Sequence, residues 1–231
     1  GFMYVTGKNL AGFLEEWYYF YLERFKKERT SFEALDSEKF IDVPYRKNEV
    51  IYQTKLSPKG DKIAYTTNED GKWRVHIYDI TEKKDKIVFK AGFRTNTVVT
   101  DLMNPLIDWE QRGNKLTMIY ELRDDFFLRH YNLEESKLEK EEPIRKFQKI
   151  FNFSYAEDSK NLILSAMQKG QVDIFQYYMP STKVTQISND FYDDLQPSYA
   201  EIDGFKGYLF ISNRKNNIDQ NLPLDSVLPN G

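Results

Sequence analysis

The chain has 231 residues, 40% hydrophobic and 16% aromatic, enough to bury a sizeable core, and its length permits one large or two small domains. Its 33 basic and 36 acidic side chains nearly cancel, leaving a net charge of -3 that draws it to neither nucleic acid nor an anionic membrane. There is no cysteine, which excludes a disulfide framework, a thiol nucleophile and a thiolate metal site while leaving every redox compartment open.

No run approaches the length of a membrane span, and Gly1-Phe2-Met3-Tyr4-Val5 lacks the basic flank of a signal peptide, so the start reads as a cut inside a longer chain. From Leu10 to about Lys27 the residues Leu10, Phe13, Leu14, Trp17, Tyr18, Tyr21 and Phe25 recur at three- and four-residue steps, which predicts one amphipathic helix. Asn9 is its expected N-cap, and Lys26, Lys27 and Arg29 stand at the negative end of the helix dipole. The wide aromatic face is expected to pack in a core; docking on another protein is the alternative. Thr30 to Asn48 shows no sustained period, contains Pro44, and reads as a linker with room for one helical turn. Residues 1–48 therefore form one segment and 49–231 another.

Val50 to Leu56 alternates as a strand and ends in Ser57-Pro58-Lys59-Gly60, where proline presets a turn and glycine accepts positive φ. Strands at Lys62 to Thr67, Trp73 to Ile80 and Ile87 to Phe89 follow, separated by the hairpin signal Asn68-Glu69-Asp70-Gly71 and a charged turn. The pattern repeats. Lys62-Ile63 matches Lys115-Leu116 and Asn161-Leu162, and Tyr78-Asp79-Ile80 matches Tyr131-Asn132-Leu133 and Tyr177-Tyr178-Met179, both at offsets of about 53 and 46 residues. Units of four antiparallel strands that cannot cover both their faces must stack around an axis, so the expected fold is mainly β: a partial β-propeller preceded by one helix. A fourth unit has strands near Leu195 to Tyr199 and Gly207 to Ser212, then a loop-like tail with Pro223 and Pro229, giving about three and a half blades. A propeller needs about four to eight blades to close, so the propeller is expected to be truncated.

The run Ser57-Pro58-Lys59-Gly60-Asp61-Lys62 before Ile63-Ala64-Tyr65 resembles the Ser-Pro-Asp-Gly-Lys box of TolB-type propellers, the WD40-like Pro-Asp repeats, with Lys59 in place of the usual Asp. Gln196-Pro197-Ser198 with Leu209-Phe210-Ile211-Ser212-Asn213-Arg214 is similar to another copy, so the resemblance covers about Val50 to Arg214. It implies a bacterial cell-envelope protein, periplasmic or outer-membrane-associated, working through other proteins. The helix Leu10 to Tyr21, after Thr6-Gly7-Lys8-Asn9, resembles the last helix of a gluzincin-type zinc peptidase domain, which implies a catalytic domain upstream.

Catalytic chemistry is sparse. The two histidines, His76 and His130, fall on the third strands of successive units with no His-Glu-x-x-His motif, and read as blade-surface or inter-blade polar residues. Neither a Gly-x-Ser-x-Gly elbow nor a phosphate-binding glycine loop occurs. Asp124-Asp125, Asp158, Asp190 and Asp193-Asp194 read as solvated turn acids, and Lys83-Lys84-Asp85-Lys86 as a charged hairpin tip. No catalytic residue, cofactor or metal site is expected. The expected function is a non-catalytic interaction or scaffold propeller, with Phe93, Arg94, Phe191, Tyr192 and Arg214 as contact candidates. The alternative is the accessory propeller of a multidomain peptidase.

Overall fold

The computed structural model describes residues 2–30, 43, 49–93 and 101–214, which form two compact units, Gly1–Asp42 and Val43–Gly231. The predicted linker, apart from Thr30 and Val43, and the tail beyond Arg214 lie outside the described residues. In the first unit a short helix α1 (Phe2–Thr6), which the hydrophobic pattern does not announce, precedes α2 (Leu10–Arg29). Asn9 caps α2 as expected, its side chain accepting from the Gly12 N–H at 2.8 Å. Core packing of the aromatic face is not observed: none of the residues of α2 is buried, and Trp17 is 54% exposed. Its rings pack along the helix instead, Trp17 on Tyr21 at 5.0 Å and Tyr21 on Phe25 at 5.8 Å, because four-residue spacing stacks them on one face.

The second unit is a β-propeller of antiparallel sheets. The first sheet holds β1 (Val50–Leu56), β2 (Lys62–Glu69), β3 (Lys72–Asp79) and β4 (Lys84–Ala91) in that order. The second holds β5 (Leu106–Trp109), β6 (Lys115–Leu122) and β7 (Asp125–Asn132), with β8 (Lys137–Leu138) and β9 (Glu142–Ile144) both paired to β7. The third runs β10 (Lys149–Tyr155), β11 (Asn161–Gln168), β12 (Gln171–Tyr178), β13 (Lys183–Gln186), and the fourth is β14 (Asp194–Ile202) with β15 (Phe205–Ser212).

The repeat is geometric as well as sequential. Ile63 pairs with Tyr78, Leu116 with Tyr131, and Leu162 with Tyr177, the same register three times. The turn between first and second strands is closed by Ser57 N–H to Lys62 O (2.8 Å), Glu110 N–H to Lys115 O (2.9 Å) and Ala156 N–H to Asn161 O (2.9 Å). Second and third strands are joined by two-residue turns, Asp70-Gly71, Arg123-Asp124 and Lys169-Gly170, every residue at positive φ, as the right-handed strand twist requires. In the fourth sheet such a turn, Asp203-Gly204, joins β14 to β15, which starts the second strand two residues before the predicted Gly207.

Sheets stack through apolar faces. Val75 and Ile77 meet Leu116, Met118 and Tyr131; Leu106, Ile119 and Leu128 meet Phe153, Leu162 and Phe175; Ile163 and Ile174 meet Tyr208 and Phe210. The recurrent tyrosines Tyr78, Tyr131 and Tyr177 are all buried. Such contacts are the main stabilising term, about 1.5–3 kcal/mol for each large side chain buried.

Candidate interaction rim

Because adjacent strands run antiparallel, connections leaving the second and fourth strands of every sheet emerge on one rim and those leaving the first and third on the other. Phe93 follows β4, Phe191 and Tyr192 lie between β13 and β14, and Arg214 follows β15, so all four belong to the first rim. Arg94 lies outside the described residues. Phe93 and Phe191 are 77% and 60% exposed. The backbone leading to Phe93 is pinned at Gly92, φ +72°, where a Cβ would lie 2.0 Å from the Gly71 carbonyl oxygen.

Asp190 gathers Tyr192 and Arg214. Its carboxylate accepts from the Tyr192 N–H at 3.0 Å and pairs with Arg214, while its carbonyl accepts from the Gln171 side chain. Arg214 also donates to Asp194 Oδ2 at 2.8 Å and sits 5.5 Å from the Phe210 ring centroid. Asp194 is fully buried, so its expected place as a solvated turn acid is corrected: the fourth sheet begins at this residue and draws it inward. Arg214 is accordingly a structural anchor as well as a rim residue, and Phe93 stands apart from this cluster on the first sheet's exit.

The histidines lie in different sheets. On β3, His76 Nδ1 is 2.8 Å from Asp85 Oδ2 and Nε2 is 3.2 Å from Thr67 Oγ1, with the ring stacked on Tyr65 at 4.6 Å. A hydroxyl, an imidazole and a carboxylate in a row have the order of a nucleophilic triad. Thr67 is fully buried, however, and its hydroxyl donates to Glu49 Oε1 at 2.8 Å, while Tyr65 donates to Asp85 at 2.9 Å. Arg74 joins the network by pairing with Glu49 and Glu69. The arrangement fixes the sheet face and presents no attacking oxygen to solvent. On β7, His130 Nδ1 is 2.7 Å from the Thr117 hydroxyl, which also contacts the Tyr155 hydroxyl of the next sheet. Burial pushes the His130 pKa down, so the ring is held neutral.

The run Lys83-Lys84-Asp85-Lys86 is only in part a hairpin tip. Asp85 and Lys86 lie within β4, where Asp85 serves His76 and Lys86 donates to the Tyr131 hydroxyl at 2.7 Å. Asp108 on β5, not a candidate from its sequence, is another charge with a specific position. It lies 3.7 Å from Lys55 of the first sheet and accepts from the Tyr155 N–H of the third at 3.2 Å, bridging three sheets. Burial raises its pKa against the opposing pull of Lys55. Its one sequence signal is an acid inside the apolar run Leu106-Ile107-Asp108-Trp109. Among the described residues no group of three or more acids and histidines converges as metal ligands, and no helix is long and apolar enough to cross a membrane.

No protein-family model and no curated protein matches the chain. Among solved structures it is similar to TolB from Acinetobacter baumannii, at 14% identity and a TM-score of 0.49, over 71% of this chain and 41% of that one. It is similar also to a putative dipeptidyl aminopeptidase IV from Bacteroides ovatus, at 14% identity and a TM-score of 0.47, over 67% and 31% of the two chains. The β-propeller domain of the Trilobed protease from Pyrococcus furiosus matches at 12% identity and a TM-score of 0.46, over 75% and 57%. The chain thus spans less than half the length of the TolB and aminopeptidase chains.

Proposed function

We propose that the chain is a non-catalytic interaction propeller of a bacterial envelope complex, periplasmic or outer-membrane-associated, in which residues 49–231 form the propeller and 1–48 a helix with its linker. Its partners are other proteins, and the contact surface is the rim that carries Phe93, Arg94, Phe191, Tyr192 and Arg214. The observation behind this reading is the contrast between polar groups that are already engaged and aromatic rings that are not buried. His76, His130, Asp85 and Asp108 are held in closed networks, whereas Phe93 and Phe191 stand out from backbone fixed by Gly92 and by Asp190. Rigidly presented aromatic rings bind with little loss of conformational freedom.

A photo-crosslinking residue placed at Phe93 or Phe191 in cells should give discrete protein adducts. The same residue at Lys59 or Ser136, on connections of the opposite rim, should give none. Equal labelling of both rims would refute the assignment, and peptide hydrolysis by the purified chain, abolished by His76→Ala, would refute its non-catalytic character.

A further inference from the structure

Equivalent tyrosines are treated differently in successive grooves between sheets. In the groove between the first and second sheets, the hydroxyl of Tyr131 accepts from Lys86 Nζ at 2.7 Å, a cation that comes from β4, the outer strand of the preceding sheet. Tyr177 holds the same position one sheet later, pairing with Leu162 as Tyr131 pairs with Leu116, and it packs toward the second sheet in the same way. No lysine meets it there. Lys86 follows the residue paired with Tyr78, and the residue that follows Leu138, the partner of Tyr131, is Glu139, whose carboxylate is engaged by Lys115 at 2.7 Å. Among the described residues the Tyr177 hydroxyl makes no hydrogen bond, although the residue is only 2% exposed.

Tyr177 forms part of the wall of a cavity of about 250 Å³ between the second and third sheets. The remaining wall is Pro143 and Ile144 of β9, Arg145 and Lys146 just after them, and Thr182 from the connection between β12 and β13. Both sheets, and the residues that join them, are described throughout. Arg145 is exposed and pairs with no acid among the described residues, so its planar fork of N–H donors is free. Lys146 donates one N–H to the Thr182 carbonyl at 2.9 Å and has two left. Burial, and then the charge of Glu142, push the Tyr177 pKa up, so the phenol keeps its proton and can donate. Two cations are thus set against the single charge of Glu142, and the donors they carry are not used up by the protein.

We infer that this cavity binds a small oxyanion, a phosphate or carboxylate group, with Arg145 and Lys146 neutralising its charge and the Tyr177 hydroxyl donating to one of its oxygens. An arginine fork matches two oxygens of such a group, and a phosphate leaves further oxygens for the ammonium and the phenol. A buried hydroxyl without a partner is costly, and the ligand is the acceptor that this one lacks. The volume lies below the roughly 300–1,000 Å³ of drug-sized pockets, which restricts the ligand to a free anion or a small molecule that carries one. The inference is independent of the interaction reading, since none of these residues is among the rim candidates.

Inorganic phosphate is the probe. Titrated calorimetrically into the 231-residue chain at constant ionic strength, it should bind saturably at one site per chain. Tyr177→Phe keeps the buried ring and should weaken binding about threefold or more, the loss of one hydrogen bond. Arg145→Gln, at an exposed position, should weaken it about tenfold or more, the loss of a charged one. Tyr131→Phe, whose hydroxyl already has Lys86, should leave it unchanged. Thermal unfolding without phosphate checks that each variant is folded. Acetate that competes with phosphate supports a site general for oxyanions, and acetate that does not supports one selective for phosphate. Binding that never saturates, that survives either Tyr177→Phe or Arg145→Gln in a folded variant, or that Tyr131→Phe weakens as much as Tyr177→Phe, would overturn the inference.

Discussion

Truncation of Tyr131 separates the two forces that join the first and second sheets. The ring is 4% exposed and lies in the cluster with Ile77, Leu116 and Met118, while its hydroxyl accepts from Lys86 Nζ at 2.7 Å. Tyr131→Ala removes a buried aromatic ring and leaves a cavity between sheets that cannot collapse freely, for which about 3–5 kcal/mol is expected. Tyr131→Phe keeps the ring and deletes only the hydroxyl. Lys86 is exposed and recovers water as a partner, so this loss should fall near the lower end of the usual 0.5–1.5 kcal/mol for a hydrogen bond. Urea unfolding followed by tryptophan fluorescence measures both, with unchanged m-values required for the comparison. If Tyr131→Ala costs less than about 1 kcal/mol, or if the phenylalanine variant costs as much as the alanine variant, Tyr131 is not a ring anchor between the first and second sheets.

Gly92→Ala should lower the midpoint of thermal unfolding, since its Cβ would meet the Gly71 carbonyl at 2.0 Å in a backbone already at φ +72°; a wild-type midpoint would refute the close approach. The depressed pKa of His130 gives a signed pH effect: its contribution is present above the unfolded value near 6.5 and lost as pH falls through the folded value. His130→Gln should therefore narrow the loss of unfolding free energy between pH 7.5 and 5, as measured by urea titration at each pH. At Asp108 the pKa is raised, so its stabilising contribution is greatest below the unfolded value of 3.8 and fades as pH rises through the folded one. Asp108→Asn should consequently be nearly neutral at pH 7, whereas Asp108→Ala, which leaves the Tyr155 N–H without its acceptor, should cost about 1–3 kcal/mol.

What could be read from the sequence was what the backbone repeats. Ser57-Pro58-Lys59-Gly60 and Ala156-Glu157-Asp158-Ser159 share little chemistry, but their turns close with matching hydrogen bonds between main-chain atoms, so the repeat survives loss of the proline. The periodic tyrosines were legible for a related reason: a fixed register places each on the same face of its sheet. Charged side chains were legible far less well. Asp85, Lys86, Asp108 and Asp194 look like ordinary loop or edge residues because their partners, among them His76, Tyr131, Lys55 and Arg214, are set by which strand or sheet lies across from them. Of the rim candidates, Phe93 and Phe191 could be picked out as aromatics in connections, but the second role of Arg214 depends on Asp190 and Asp194, twenty or more residues upstream.

The distribution of polar groups among sheet faces carries a further step. If all faces were equally apolar, the order in which sheets stack would be weakly specified, since hydrophobic contact is not directional. Here the first sheet turns Val75 and Ile77 to the second and keeps Arg74, His76 and Thr67 on its other side. Any sheet placed on that other side would have to leave the Glu49–Arg74–Glu69 and Thr67–His76–Asp85 networks intact or break them at the cost of unpaired buried groups. At the opposite end the β14–β15 face has no such groups. One end of the described stack is thus an apolar, exposed face, and the other a polar face whose groups are already paired and buried. The network that engages His76 and Thr67 is therefore also what distinguishes the two ends of the stack.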